Sequence, residues 1–159
     1  MHPSRTQLTK LSTNEFRTTW TELKHACAQP QHSFNNHPDL PDEDIILLGL
    51  SFYSGLSNHH SIEERFFFPL LATRIPEFRP SGSFAAQHEA IHDALVRLRG
   101  YLGRCERGEE GGLDRGKVRR LMESFECVLW EHLDREVEVL GAENMRRFWS
   151  LDEVRRFPA

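Results

Sequence analysis

The sequence predicts an all-α protein, an up-down-up-down four-helix bundle followed by a short tail helix. Two observations predict it. Apolar residues recur at helical spacing in four long stretches, with no alternating strand pattern between them. Segments rich in Pro, Gly and Asn separate these stretches, and no repeat of solenoid spacing is present, so antiparallel packing of neighbouring helices is the default arrangement. With 159 residues, one domain over 1–159 is expected, its bundle core about 12–140 and its C-terminal extension 141–159.

Helix one is expected from Ser12, where Ser12 and Glu15 have capping-box spacing, to about Cys27, ahead of Gln29-Pro30. A polar connection from Gln31 to Pro38 follows. Helix two begins around Pro41, with Asp42 and Glu43 favourably placed in its first turn, and runs to about Phe68, where Pro69 kinks or ends it. Helix three starts near Ser81 or Ser83 and reaches about Leu102, before a loop from Gly103 to Gly112. Helix four runs from Asp114, a suitable N-cap, to Leu140, and Gly141 stops it. Ser150 and Glu153 form a second capping-box pattern ahead of the tail helix.

Composition narrows the function classes. Hydrophobic residues make up 38% and charged residues 28%, which excludes wholesale disorder. A formal charge of −4 supplies no electrostatic footprint for nucleic acid or an anionic membrane, so neither is expected as a partner. The longest apolar stretch, Ile45 to Leu56, is too short to span a bilayer. The first residues lack the apolar run of a secretory signal, and Cys27, Cys105 and Cys127 show no CxxC spacing or disulfide framework. A reducing cytoplasmic location is the expectation.

Nine histidines stand out. Stepping about 100° per residue around helix two puts Ile45, Leu48, Phe52, Leu56, Phe66 and Leu70 on one stripe, with His59 and Glu63 inside it. His60 and Glu64 fall at its flank, where a supporting or surface role is simplest. On helix three His88 and His92 share the stripe of Phe84, Ile91, Leu95, Leu98 and Leu102. On helix four His132 and Glu136 share that of Val118, Leu121, Met122, Phe125, Leu129 and Val139.

Any one of these residues has a bland explanation, since a histidine on an apolar stripe is usually a hydrogen-bonded core residue. Together they do not. Burying carboxylates and imidazoles costs several kcal/mol each unless something compensates their charge. No Lys or Arg lies on these stripes, and a bound cation would supply that charge. Imidazole and carboxylate donors without thiolate, in a number above four, suit iron or manganese better than a closed zinc site.

The segment His59-His60-Ser61-Ile62-Glu63-Glu64-Arg65-Phe66-Phe67-Phe68-Pro69 resembles the HxxxEE…FP signature of hemerythrin-like (HHE cation-binding) domains. Gln87-His88-Glu89-Ala90-Ile91-His92 is similar to their third-helix histidine segment, and His132 to Glu136 to their fourth-helix HxxxE. The resemblance covers roughly residues 12 to 140. It implies two oxo- or hydroxo-bridged irons, with His59, His88, His92 and His132 as terminal ligands. Glu63 and Glu136 would then bridge the irons or bind one of them. It also implies a small-molecule ligand such as O2, peroxide or NO.

The chain departs from the family at helix one, where Thr13 stands in the usual place of a histidine; one iron would then be weakly held or absent. His25 projects to the opposite side of the helix, and His32 or His37 could fill the gap. Two other functions are consistent with the resemblance: an iron- or oxygen-responsive module whose fold depends on metal, and a non-haem iron oxidative enzyme acting on a small organic substrate.

Overall fold

Four helical columns close into a ring in the computed structural model, which describes residues 5–28 and 40–158, with side chains of the first helix described from Thr13 onward. The columns are α1 (Arg5–Ala28), α2 (Asp42–Ile62), α4 (Ser83–Glu106) and the pair α5 (Arg115–Glu123) and α6 (Glu126–Val139). Helix α1 packs on α2, α2 on α4, α4 on α5 and α6, and these two return to α1. That closed ring is the expected bundle. No strand occurs among the described residues.

The ring forms because each helix buries one stripe. Leu23, Ile45, Leu56, Ile91, Leu95, Leu98, Leu102, Met122, Leu129 and Leu133 are all essentially sealed from solvent. Each such side chain contributes about 1.5–3 kcal/mol by leaving water. A second apolar cluster, with Phe68, Phe78, Phe84, Val139 and Trp149 among its buried members, closes one end of the bundle.

Several predicted boundaries shift. Helix α1 already runs from Arg5, so Ser12 lies inside it and does not cap it. Helix α4 continues through Gly103 to Glu106, and the chain then turns through Gly108, Gly111 and Gly112 at positive φ. Helix four is broken at Ser124-Phe125, where the Ser124 hydroxyl donates to the Leu121 carbonyl and competes with the regular ladder. Asp114 caps α5 as expected, its carboxylate accepting from the Lys117 N–H.

The shift with most consequence is in α2, which ends in a π-helical turn (Glu63–Phe67) before α3 (Phe68–Leu71). The Phe68 N–H reaches five residues back to the Glu63 carbonyl. Pro69 has no N–H for the ladder, and its ring would crowd the carbonyl four residues earlier in a regular helix; the wider turn relieves that. The extra residue rotates everything after it, so Phe66 is 45% exposed and Phe68 and Leu71 are buried, not Phe66 and Leu70 as the unbroken wheel predicts.

A 3-10 turn (Pro76–Phe78) leads to Gly82 at the start of α4. A Cβ on Gly82 would lie 2.3 Å from the Glu77 carbonyl oxygen, so only glycine fits there. After α6 come α7 (Ala142–Met145) and α8 (Leu151–Arg155), the latter with the Ser150–Glu153 capping box in place. Arg74 fastens this tail by donating to the Phe148 carbonyl and pairing with Glu153.

Candidate metal centre

Between the two apolar layers lies a buried polar belt. On α2 and its π turn, Leu56 is followed by His59, His60 and Glu63, then Phe68; on α4, Phe84 is followed by His88, then Ile91. On α6, Leu129 is followed by His132 and Glu136, then Val139. His60, Glu63, His88, His132 and Glu136 are all buried, and the His59 side chain is 18% exposed.

The donor atoms converge as two groups. One holds His60, Glu63, His88 and His132; the other holds His59, Glu63 and Glu136; within each, the atoms lie within 4.8 Å of one another. Glu63 belongs to both. His59 Nε2 is 3.0 Å from Glu63 Oε1 and 3.8 Å from Glu136 Oε2, and His88 Nε2 is 3.5 Å from Glu63 Oε2. Ligand bonds of about 2.0–2.2 Å set neighbouring donors roughly 3.0–3.5 Å apart around one ion, so these separations match a coordination polyhedron.

Hydrogen bonds fix which ring nitrogens face inward. The His88 Nδ1–H donates to Glu64 Oε1 at 2.8 Å, and the His132 Nδ1–H donates to Gln87 Oε1 at 3.2 Å. The two Nε2 atoms then face one another at 3.1 Å, a spacing bridged by a cation held against both, or by an Nε2–H···Nε2 hydrogen bond when the Gln87 amide is turned over. Three further atoms, His60 Nε2, Glu63 Oε2 and Glu136 Oε2, are buried without a hydrogen-bond partner. Such groups cost about 1–3 kcal/mol each when unsatisfied, more when charged. The donor set fits a metal ion.

The electrostatics agree. Burial, followed by the repulsion of neighbouring imidazoles, holds His60 well below its ordinary value. His132 is pushed down to about 3 by burial, against the pull of Glu136. His88 is lowered by burial despite Glu64. These three rings are neutral and able to donate. Burial also pushes His59 down, but its bonds to Glu136 and Glu63 prevail and raise it to about 10. Burial and the neighbouring Glu136 raise Glu63 well above the carboxylate range. Glu136 is held low; burial opposes this, and the bonds from Glu63 and His59 outweigh it. Without metal, then, the upward shifts of His59 and Glu63 favour their protonated forms, which offset charge that a cation would offset.

Of the six residues singled out in the sequence, His59, Glu63, His88, His132 and Glu136 come together, and His92 does not. His92 is exposed, one turn beyond His88 on α4. In its place the structure brings His60, whose ring stacks on His88 at 3.9 Å between centroids. The unbroken wheel places His60 at the stripe's flank, yet its side chain is sealed against His88 and His132 at the α2–α4 contact. Thr13 is buried, one turn before Phe16, whose ring lies 5.5 Å from that of His59. Helix α1 thus brings a hydroxyl to this side and no imidazole; His25 is exposed. His32 and His37 lie outside the described residues.

A cavity of about 130 Å³ between α2 and α4 opens beside the belt, lined by Ser57, His60, Ser61, Glu64, His88 and His92 among others. On the other sides Phe68 packs at 4.7 Å from the His88 ring and Phe84 at 5.4 Å from the His132 ring. No helix is long and apolar enough to cross a membrane among the described residues.

The sequence profile of the hemerythrin HHE cation-binding domain matches residues 14–143. A dimeric xanthone biosynthesis cluster protein, R11, from Cryptosporiopsis sp. (strain 8999) is 25% identical over 116 residues, covering 69% of this chain and 43% of that protein. The chain thus spans less than half the length of that curated relative. No solved structure matches the chain.

Proposed function

The chain belongs to the hemerythrin HHE cation-binding family, and from that premise we propose that its buried belt holds a non-haem di-iron centre that binds or activates oxygen, peroxide or nitric oxide. His60, Glu63, His88 and His132 would hold one ion, and His59, Glu63 and Glu136 the other, with Glu63 shared. When bound, iron supplies open coordination positions and redox electrons for a small oxidised molecule.

The chain's own residues do the rest. Glu64 and Gln87 hold the His88 and His132 rings with Nε2 inward, and such outer partners also raise the basicity of a ligand. Phe68 and Phe84 exclude water on one side. The observation that supports the reading is the convergence of two buried donor groups, His60, Glu63, His88 and His132 in one and His59, Glu63 and Glu136 in the other, each within 4.8 Å.

Size favours a small ligand. A cavity of 150 Å³ accepts benzene, so about 130 Å³ has room for O2, peroxide, NO or a few waters. The name of the Cryptosporiopsis relative favours a second reading, an oxidative enzyme of biosynthesis acting on an organic substrate. That reading needs a larger pocket than the one beside the belt.

The test is the iron content of protein produced with iron supplementation, repeated for His132→Ala and Glu63→Ala. Two irons per chain, lost in both variants with helicity retained, support the proposal. An iron content near zero in the wild-type chain rejects it, as do variants that keep full iron.

A further inference from the structure

The cavity between α2 and α4 has a composition that the buried centre alone does not explain. Its buried wall is His60, His88 and the apolar Leu95; its more exposed part carries the hydroxyls of Ser57 and Ser61, the Glu64 carboxylate and the His92 imidazole. No Lys or Arg lines it. His60 presents a buried Nε2 without a partner, so an unsatisfied donor sits at the inner end. Glu64 spans the two zones: its side chain is 57% exposed, yet its Oε1 accepts the His88 Nδ1–H.

Among the described residues, apolar groups cover most other faces of the belt, and the His59 side chain keeps 18% exposure. Leu56, Ile91, Leu129 and Leu133 seal the belt from one end, and Phe68 and Phe84 from the other. Towards α1, the Phe16 ring lies against His59. A neutral gas could diffuse past such side chains as they move, but a hydrated cation could not, because it would lose its water shell to carbon. A cation needs a polar path with oxygen and nitrogen donors that replace its waters in turn.

We propose that this cavity is the port through which metal ions load the centre, with Glu64 and His92 as the outer capture site. This rests on the metal-binding reading and assigns His92 a place outside the centre. The single negative charge at the mouth raises the local concentration of cations and disfavours anions. A divalent ion first exchanges waters for the Glu64 carboxylate and the His92 imidazole, both of which suit first-row metals. It then moves inward past the serine hydroxyls to His60 and His88. No bond within the protein forms or breaks, and displaced protons leave to solvent by the same path.

The experiment is cobalt(II) uptake by the full-length apo-protein, followed by stopped-flow absorbance, with cobalt per chain and affinity measured at equilibrium. His92→Ala is compared with wild type and with His25→Ala, a control at an exposed histidine of α1. Ser57→Phe, checked for helicity, narrows the cavity without removing a donor of the centre. A port predicts that His92→Ala loads about tenfold more slowly, that chelator strips the metal more slowly by a similar factor, and that content and affinity stay at the wild-type level. Ser57→Phe slows both directions in the same way, and His25→Ala changes nothing. Unchanged rates in His92→Ala and Ser57→Phe overturn the proposal. So does the loss of one cobalt per chain in His92→Ala, which would make His92 a ligand of the centre itself. A wild-type chain that takes up no metal refutes the metal reading, and the port with it.

Discussion

Metal binding to this belt must compete with protons, and the structure fixes the direction and scale of that competition. At neutral pH the metal-free centre holds one proton on His59, whose value is raised to about 10, while burial and Glu136 push Glu63 well above the carboxylate range. A cation that coordinates His59 displaces its proton. Below pH 10, that proton costs about tenfold in apparent affinity per pH unit. From pH 6 to pH 8 its displacement makes binding about a hundredfold tighter, and the raised Glu63 acts in the same direction.

The metal-free fold behaves oppositely. Because His59 is raised above its ordinary 6.5, its contribution to stability is complete below 6.5 and is lost as pH rises through about 10. Calorimetric titration of the apo-protein in buffers of different ionisation enthalpy reads the protons released, and thermal melts of the apo and loaded forms read the stability. The expected result is release of one to two protons at pH 7, an apo Tm that falls from pH 6.5 to 10, and a loaded form that does not follow it. Binding that releases no protons, with pH-independent affinity, would refute the assignment of His59 and Glu63 as ligands.

Further outcomes follow from other parts of the structure. Phe84 is fully buried, stacks on Phe78 at 4.5 Å and meets the His132 ring edge-on; Phe84→Ala should cost about 3–5 kcal/mol in denaturant unfolding, and a loss under 1 kcal/mol would show that this end of the bundle is not packed as described. Gln87→Leu removes the acceptor that orients His132 and should weaken metal affinity about 10–100-fold in competition with a chelator, at unchanged helicity; full affinity would show that Gln87 does not position the ring. Cys127 is exposed and should react at once with a thiol reagent, whereas Cys27 is buried and its thiol is pushed up to about 11 by burial, so it should react only on unfolding. Equal rates for the two would contradict the packing of α1.

Helical periodicity alone was enough for the ring of four columns, because each column buries one stripe and that stripe follows the 3.6-residue period. It was also enough for five of the residues whose side chains meet in the buried belt. His59 with Glu63 and His132 with Glu136 lie four residues apart in regular or nearly regular helix, so the wheel that finds the apolar stripe also finds them. His88 sits between Phe84 and Ile91 in an unbroken helix and is equally legible. The break in α5–α6 left no mark that periodicity reads, since Ser124 and Phe125 are unremarkable in a helix; at the break the Ser124 hydroxyl donates to the Leu121 carbonyl.

The choice between His60 and His92 was out of reach of that wheel. Wheel angles rank residues by direction from one helix axis, while membership of the centre depends on where neighbouring helices cross. His60 and His88 meet with stacked rings at the α2–α4 contact, which consumes the α4 face near His88 and leaves His92, one turn on, at the mouth of the cavity. The π turn adds to this. It begins at Glu63, the residue shared by both donor groups, and turns the following residues so that Phe68 rather than Phe66 lies against His88. Pro69 was the visible trace of it: a proline six residues after the buried Glu63, where a regular helix would be strained. The same turn that relieves the proline thereby puts an aromatic ring over the centre, so the backbone irregularity and the dryness of the site have one cause.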